Sequence, residues 1–120
     1  MKGFDIQTRC HTIATRVVKM IAFLPNNCQS YAISHQIIRS ASSVGANYRA
    51  ACRSKSRRDF INKLKIVEEE ADETLFWLEL IEESGFFSKG KLDSLKLETD
   101  ELISMIVASL KTLKSQNLKS

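Results

Sequence analysis

Between residues 60 and 81 the chain places Phe60, Leu64, Val67, Ala71, Thr74, Leu78 and Ile81 at alternating steps of four and three. That spacing lines up side chains on one side of an α-helix, whereas a strand, with its period of two, would scatter them over both faces. A seam of this regularity also predicts how the helix is used, because it packs at a shallow angle on neighbours with seams of their own. The chain supplies them: Ile6, Cys10, Ile13, Val17, Met20 and Leu24 in the first segment, Ile33, Ile37, Ala41, Val44, Tyr48 and Ala51 in the second, and Leu95, Leu102, Ile106, Leu110 and Leu113 in the last.

One proline and four glycines in 120 residues leave few places to interrupt a helix. Asp5 can cap the first helix and Pro25 close it, and Asn26 or Asn27 can start the second. Ser56 with Asp59 three residues later is the acidic variant of a capping box. Gly85 suits the left-handed residue after a helix, with Phe86 as its hydrophobic contact. The expected helices span about 5–24, 28–53, 57–84 and 91–115, with the tail from Ser115 frayed. Short turns make successive helices antiparallel, so the expected fold is all-α, an up-down-up-down four-helix bundle forming one domain over residues 1–120. Gly45 costs its helix about 1 kcal/mol relative to alanine and marks a close approach of another backbone or a bend.

Charge is divided in blocks. Residues 39–65 hold eight cations (Arg39, Arg49, Arg53, Lys55, Arg57, Arg58, Lys63, Lys65) against the single carboxylate Asp59, and residues 66–83 hold eight carboxylates and no cation. In a lone helix over 57–84 that order opposes the macrodipole at both ends, roughly a few tenths of a kcal/mol each. The charges then serve a partner, or form a solvated face whose loss core packing offsets. Arg49, Arg53, Lys55, Arg57, Arg58 and Lys63 are the candidate nucleic-acid interface, since guanidinium forks match phosphate geometry. No groove-reading motif or aromatic-rich sheet accompanies them, so sequence readout is not expected. Off the main seam, Ile66, Phe76, Trp77 and Leu80, with Glu69 and Glu73 among them, are the candidate oligomer interface; the alternative is that a loop or a helix edge covers them.

Other classes of function lack their residues. Cys10, Cys28 and Cys52 are odd in number and form no CxxC pair, which fits small apolar residues in a reducing compartment. No stretch reaches the length of a membrane span, and Arg9, Arg16 and Lys19 interrupt any signal-peptide core, so a cytoplasmic location is expected. His11 and His35 have no carboxylate or cysteine at ligand spacing, and no phosphate loop or nucleophile-base pair is present, so neither an enzyme, a cofactor nor a small-molecule substrate is expected. Glu70 and Glu73 with Glu98 and Glu101 are similar to the paired ExxE motifs of helical magnesium-dependent pyrophosphohydrolases. Glu73, however, points away from the seam and Glu70 only flanks it, so no metal site is expected.

The run Ser43-Val44-Gly45-Ala46-Asn47-Tyr48-Arg49, the Phe60-Ile61-x-Lys63-Leu64 entry to the third helix and Glu69-Glu70-Ala71-Asp72-Glu73-Thr74 closely resemble the core of the bacterial 23S rRNA-intervening-sequence (S23) proteins. The likeness covers nearly the whole chain and is weakest over the first 25 residues. Ala50 departs from it, standing where many members carry an acid, which makes the patch more basic. The resemblance implies a homopentamer of four-helix bundles with a positive surface suspected of touching nucleic acid. It also implies kinship with the accessory variability determinant of diversity-generating retroelements, whose protein partner is a reverse transcriptase.

Overall fold

A computed structural model describes residues 3–119 as four helices: α1 (Gly3–Ile21), α2 (Cys28–Cys52), α3 (Arg57–Glu83) and α4 (Asp93–Lys119). Each helix packs on the next, and α1 packs on α4. Among the described residues the backbones of the diagonal pairs do not approach closely, which closes the four into a square bundle of 53 × 23 × 20 Å. Cross-helix contacts run in opposite senses along each neighbouring pair: Arg9 with Glu101 and Arg16 with Ser94 for α1 and α4, for example. The bundle is therefore antiparallel, up-down-up-down. No helix among the described residues is long and apolar enough to cross a membrane.

The seams form the core, and Ile13, Val17, Ile37, Leu64, Leu78, Ile81, Leu102 and Ile106 are fully buried. They lose cover where the bundle ends. Leu24, Ile33 and Leu113 are half-buried, and in the first turn of α3 the buried position belongs to Ile61 rather than Phe60. Two threonines complete the lines. Thr99 is buried with its hydroxyl bonded to the Leu95 carbonyl, and Thr74 stands 2.9 Å from the buried Ser40 hydroxyl on α2. The Glu70 carbonyl lies 2.9 Å from Thr74 Oγ1, and the Ile37 carbonyl 3.3 Å from Ser40 Oγ. Whichever hydroxyl proton bridges the pair, the other goes to a carbonyl of its own helix, so neither group is buried unsatisfied.

The helix ends follow local chemistry. Helix α1 begins at Gly3, earlier than the Asp5 cap predicts, and Asp5 lies in its first turn where a carboxylate still meets the positive end of the dipole. It stops at Ile21, four residues short of Pro25, because Phe23 and Leu24 donate to the Met20 and Ile21 carbonyls in tighter turns. Asn27, not Asn26, caps α2, its side chain accepting from the Ser30 N–H at 2.8 Å. Ser56 caps α3 by accepting from the Asp59 N–H at 3.1 Å, while the Asp59 carboxylate turns to Lys63 Nζ at 2.7 Å. After α3, Gly85 adopts φ 78° with its N–H on the Glu82 carbonyl, and Phe86 rests half-buried on the core. Helix α4 continues to Lys119, past the fraying expected from Ser115.

Gly45 is where α2 meets α1: a Cβ built there would stand 3.6 Å from Cys10 Cβ. That is ordinary contact, so the approach leaves room for a methyl group. Gly45→Ala is expected to stabilise the fold by about 0.5–1 kcal/mol through reduced chain entropy, read as a higher urea midpoint at unchanged slope. A lowered midpoint would mean that α1 and α2 need the bare backbone.

Candidate nucleic-acid interface

The basic residues gather at one end of the bundle because the link between α2 and α3 is only four residues long. Arg53 ends α2, its N–H on the Ala50 carbonyl at 3.1 Å, and the Ser54 N–H follows to the Ala51 carbonyl at 3.0 Å. Three residues later Ser56 starts α3. The turn thus presents Arg49, Arg53, Lys55, Arg57 and Arg58 together, all exposed. Arg57 reaches across to α4, donating to the Leu113 carbonyl at 3.2 Å and Gln116 Oε1 at 2.6 Å. Lys63 is half-buried and held by Asp59, one turn before it. None of Arg49, Arg53, Lys55 and Arg58 has a carboxylate within ion-pair distance among the described residues. Helix α4 adds Lys111, exposed at the same end, which the sequence left unmarked because the contribution depends on how far α4 runs.

The acidic block is partly neutralised from within. Arg39 of α2 holds Glu70 at 3.0 Å and also Glu73, whose accepting oxygen takes the Trp77 indole N–H at 3.1 Å. The Trp77 hydrogen bond, and then Arg39, hold the Glu73 carboxyl below the usual carboxylate range, and Glu73 raises the Arg39 guanidinium in return. Lys96 of α4 binds Glu82 at 2.5 Å, which raises the Lys96 ammonium. The four carboxylates that resemble paired ExxE motifs are drawn apart: Glu70 and Glu73 to Arg39, Glu98 to Arg16 at 2.8 Å, and Glu101 to Arg9 at 3.6 Å. Among the described residues no group of three His, Cys, Asp or Glu is placed to hold a metal ion.

The apolar set beside this block divides in two. Phe76 and Ile66 are 54% and 40% exposed, with Glu69 exposed near them. Trp77 instead packs half-buried against the core, edge-on to Phe76 with ring centroids 5.0 Å apart, and Leu80 is half-buried as well. At the end of the bundle opposite the basic turn, Phe23 and Tyr31 are 77% and 74% exposed, and sequence spacing gives no sign of them because they flank a turn rather than lie on a seam.

Comparison with known proteins adds two findings. The model of the 23S rRNA-intervening sequence protein family matches residues 2–108. A solved structure from Bacteroides thetaiotaomicron, a protein of unknown function from the S23 ribosomal protein family, is similar with a TM-score of 0.84 and 35% identity, covering 92% of this chain and 99% of its own. No protein of curated function matches.

The Glu73 contact has a definite pH signature. A carboxyl lowered in the folded state contributes stability above its unfolded pKa, and that contribution is lost as pH falls through the folded value. Trp77→Phe keeps an aromatic ring against Phe76 but removes the donor. The wild type is expected to exceed the variant in urea stability at neutral pH, with the gap narrowing on acidification below the carboxylate range. A gap independent of pH would assign the difference to packing.

Proposed function

The chain belongs to the 23S rRNA-intervening sequence protein family, and from that membership we propose a non-enzymatic, oligomeric, cytoplasmic protein that holds structured RNA, or an RNA-protein partner, through its basic end. The observation that carries this reading is the set Arg49, Arg53, Lys55 and Arg58, exposed and without ion pairs among the described residues while Arg39, Lys63 and Lys96 are spent on carboxylates. Exposed guanidinium groups around a short turn suit phosphates at several orientations. One protomer offers few such contacts. A ring, the pentamer the resemblance implies, presents the patch repeatedly, and linked weak contacts gain through effective concentration.

Phe76 and Ile66 are the residues best suited to close that ring, as large apolar groups beside exposed carboxylates. The same surface supports a second reading, a structural or adaptor ring in which the cations pair with Glu69 and Asp72 of the next subunit and the ring docks a protein such as a reverse transcriptase. The exposure of Glu69 and Asp72 favours it. Head-to-tail pairing of unlike faces closes a ring when the rotation permits.

Arg53→Glu combined with Arg58→Glu separates the readings without disturbing the Arg57 bridge to α4. The RNA-binding reading expects at least a tenfold loss of affinity for ribosomal RNA fragments and a shallower salt dependence, at unchanged mass by light scattering. Loss of the oligomer would favour the adaptor instead. Phe76→Ser is expected to shift the mass toward monomer, and an unchanged mass would remove Phe76 from the interface.

A further inference from the structure

Beside the cations lies a groove of about 610 Å³ that the phosphate-binding reading leaves unused. The register set by Arg9 with Glu101 and Arg16 with Ser94 brings Gly3 level with the Ile106 turn of α4, and α4 continues to Lys119. The last turns of α4 thus stand over the end of α2 and the start of α3. The walls are the half-buried Phe60 and Leu113, the floor is the buried Tyr48 and Leu64, and the rim is polar, from Cys52, Thr112 and Gln116. Burial first, and then the hydrogen bond with the neighbouring Cys52 thiol, push the Tyr48 phenol up.

The charges fix what can occupy the groove. Arg57 is bonded to two of its lining residues, Leu113 and Gln116; Arg53 directly follows Cys52, and Lys111 directly precedes Thr112. A ligand that fits must carry negative charge outside and a flat, largely apolar group with hydrogen-bonding edges inside. A volume of this size is within the usual range for small-ligand sites, and an aromatic face such as Phe60 beside a few polar groups is how proteins hold splayed-out bases. We infer that this groove receives an unpaired base of an RNA strand whose phosphates lie on the Arg53, Arg57 and Arg58 end. The inference rests on the RNA-binding reading and narrows it to single-stranded segments, because a paired base is stacked and cannot enter.

The test uses Cys52, which is exposed on the rim, in the full chain carrying Cys28→Ser; Cys10 is buried and its thiol is pushed by that burial up to about 12. An unpaired RNA oligonucleotide is expected to slow maleimide labelling of Cys52 about tenfold, the scale of one base stacked on aromatic groups. The same strand paired to its complement, at equal occupancy, is expected to leave labelling unchanged. Thr112→Trp, which fills the groove from an exposed position, is expected to reduce affinity for the unpaired strand to that for the duplex while keeping the salt dependence. Equal protection by both RNAs, or an unpaired-strand preference that survives Thr112→Trp, would overturn the groove and leave the phosphate patch standing. Absence of binding to either RNA at low salt would overturn the patch, and the groove with it.

Discussion

Antiparallel packing around one apolar line is the constraint on which the other features depend, including the charge order that would be unfavourable in a lone helix. Taken alone, α3 places Arg57 and Arg58 at the positive end of its dipole and Glu82 and Glu83 at the negative end. In the bundle, the start of α3 lies beside the C-terminal ends of α2 and α4. Arg57 donates to the Leu113 carbonyl, and Arg53 sits at the negative end of α2. At the opposite end the α3 carboxylates lie beside the beginnings of α2 and α4, and Glu82 meets Lys96. Neighbouring dipoles cancel most of the loss, so the blocks can persist without a partner to stabilise them. Charge order alone therefore requires no binding partner. Arg49, Arg53, Lys55 and Arg58, without carboxylates among the described residues, are the charges that a partner would meet.

The fold is legible because every seam advances at helical spacing, strictly four and three in α1 and α3, and such spacing needs no knowledge of the neighbours. Legibility stopped where burial depends on how far a neighbouring helix extends. Phe60 continues the seam in sequence, yet Ile61 is the buried residue, since the first turn of α3 lies at the end of the bundle. The site shows the same division. Arg49, Arg53, Lys55, Arg57 and Arg58 lie together in the fold as they do in the sequence because a four-residue link keeps them together whatever the packing. Arg39 belongs to the same basic block in sequence but is spent on Glu70 and Glu73, because the Ser40 to Thr74 register brings α2 and α3 level at that point. Register is a property of two helices in contact, and neither helix states it alone. Trp77 was grouped with Phe76 for the same reason, although its indole is turned toward Glu73 and its ring toward the core.

The two ends of the bundle differ in charge and in shape. A groove lies between the last turns of α4 and the α2 to α3 link, at the end where Arg49, Arg53, Lys55 and Arg58 stand without ion pairs among the described residues. An apolar recess with a polar rim and a positive surround is a different binding surface from a patch of exposed arginines. On the proposed reading the arginines would hold any phosphate chain, duplex or single, with a strength set by salt. The recess would then supply the preference for a strand whose bases are available over one whose bases are stacked, and the cations how strongly either is held.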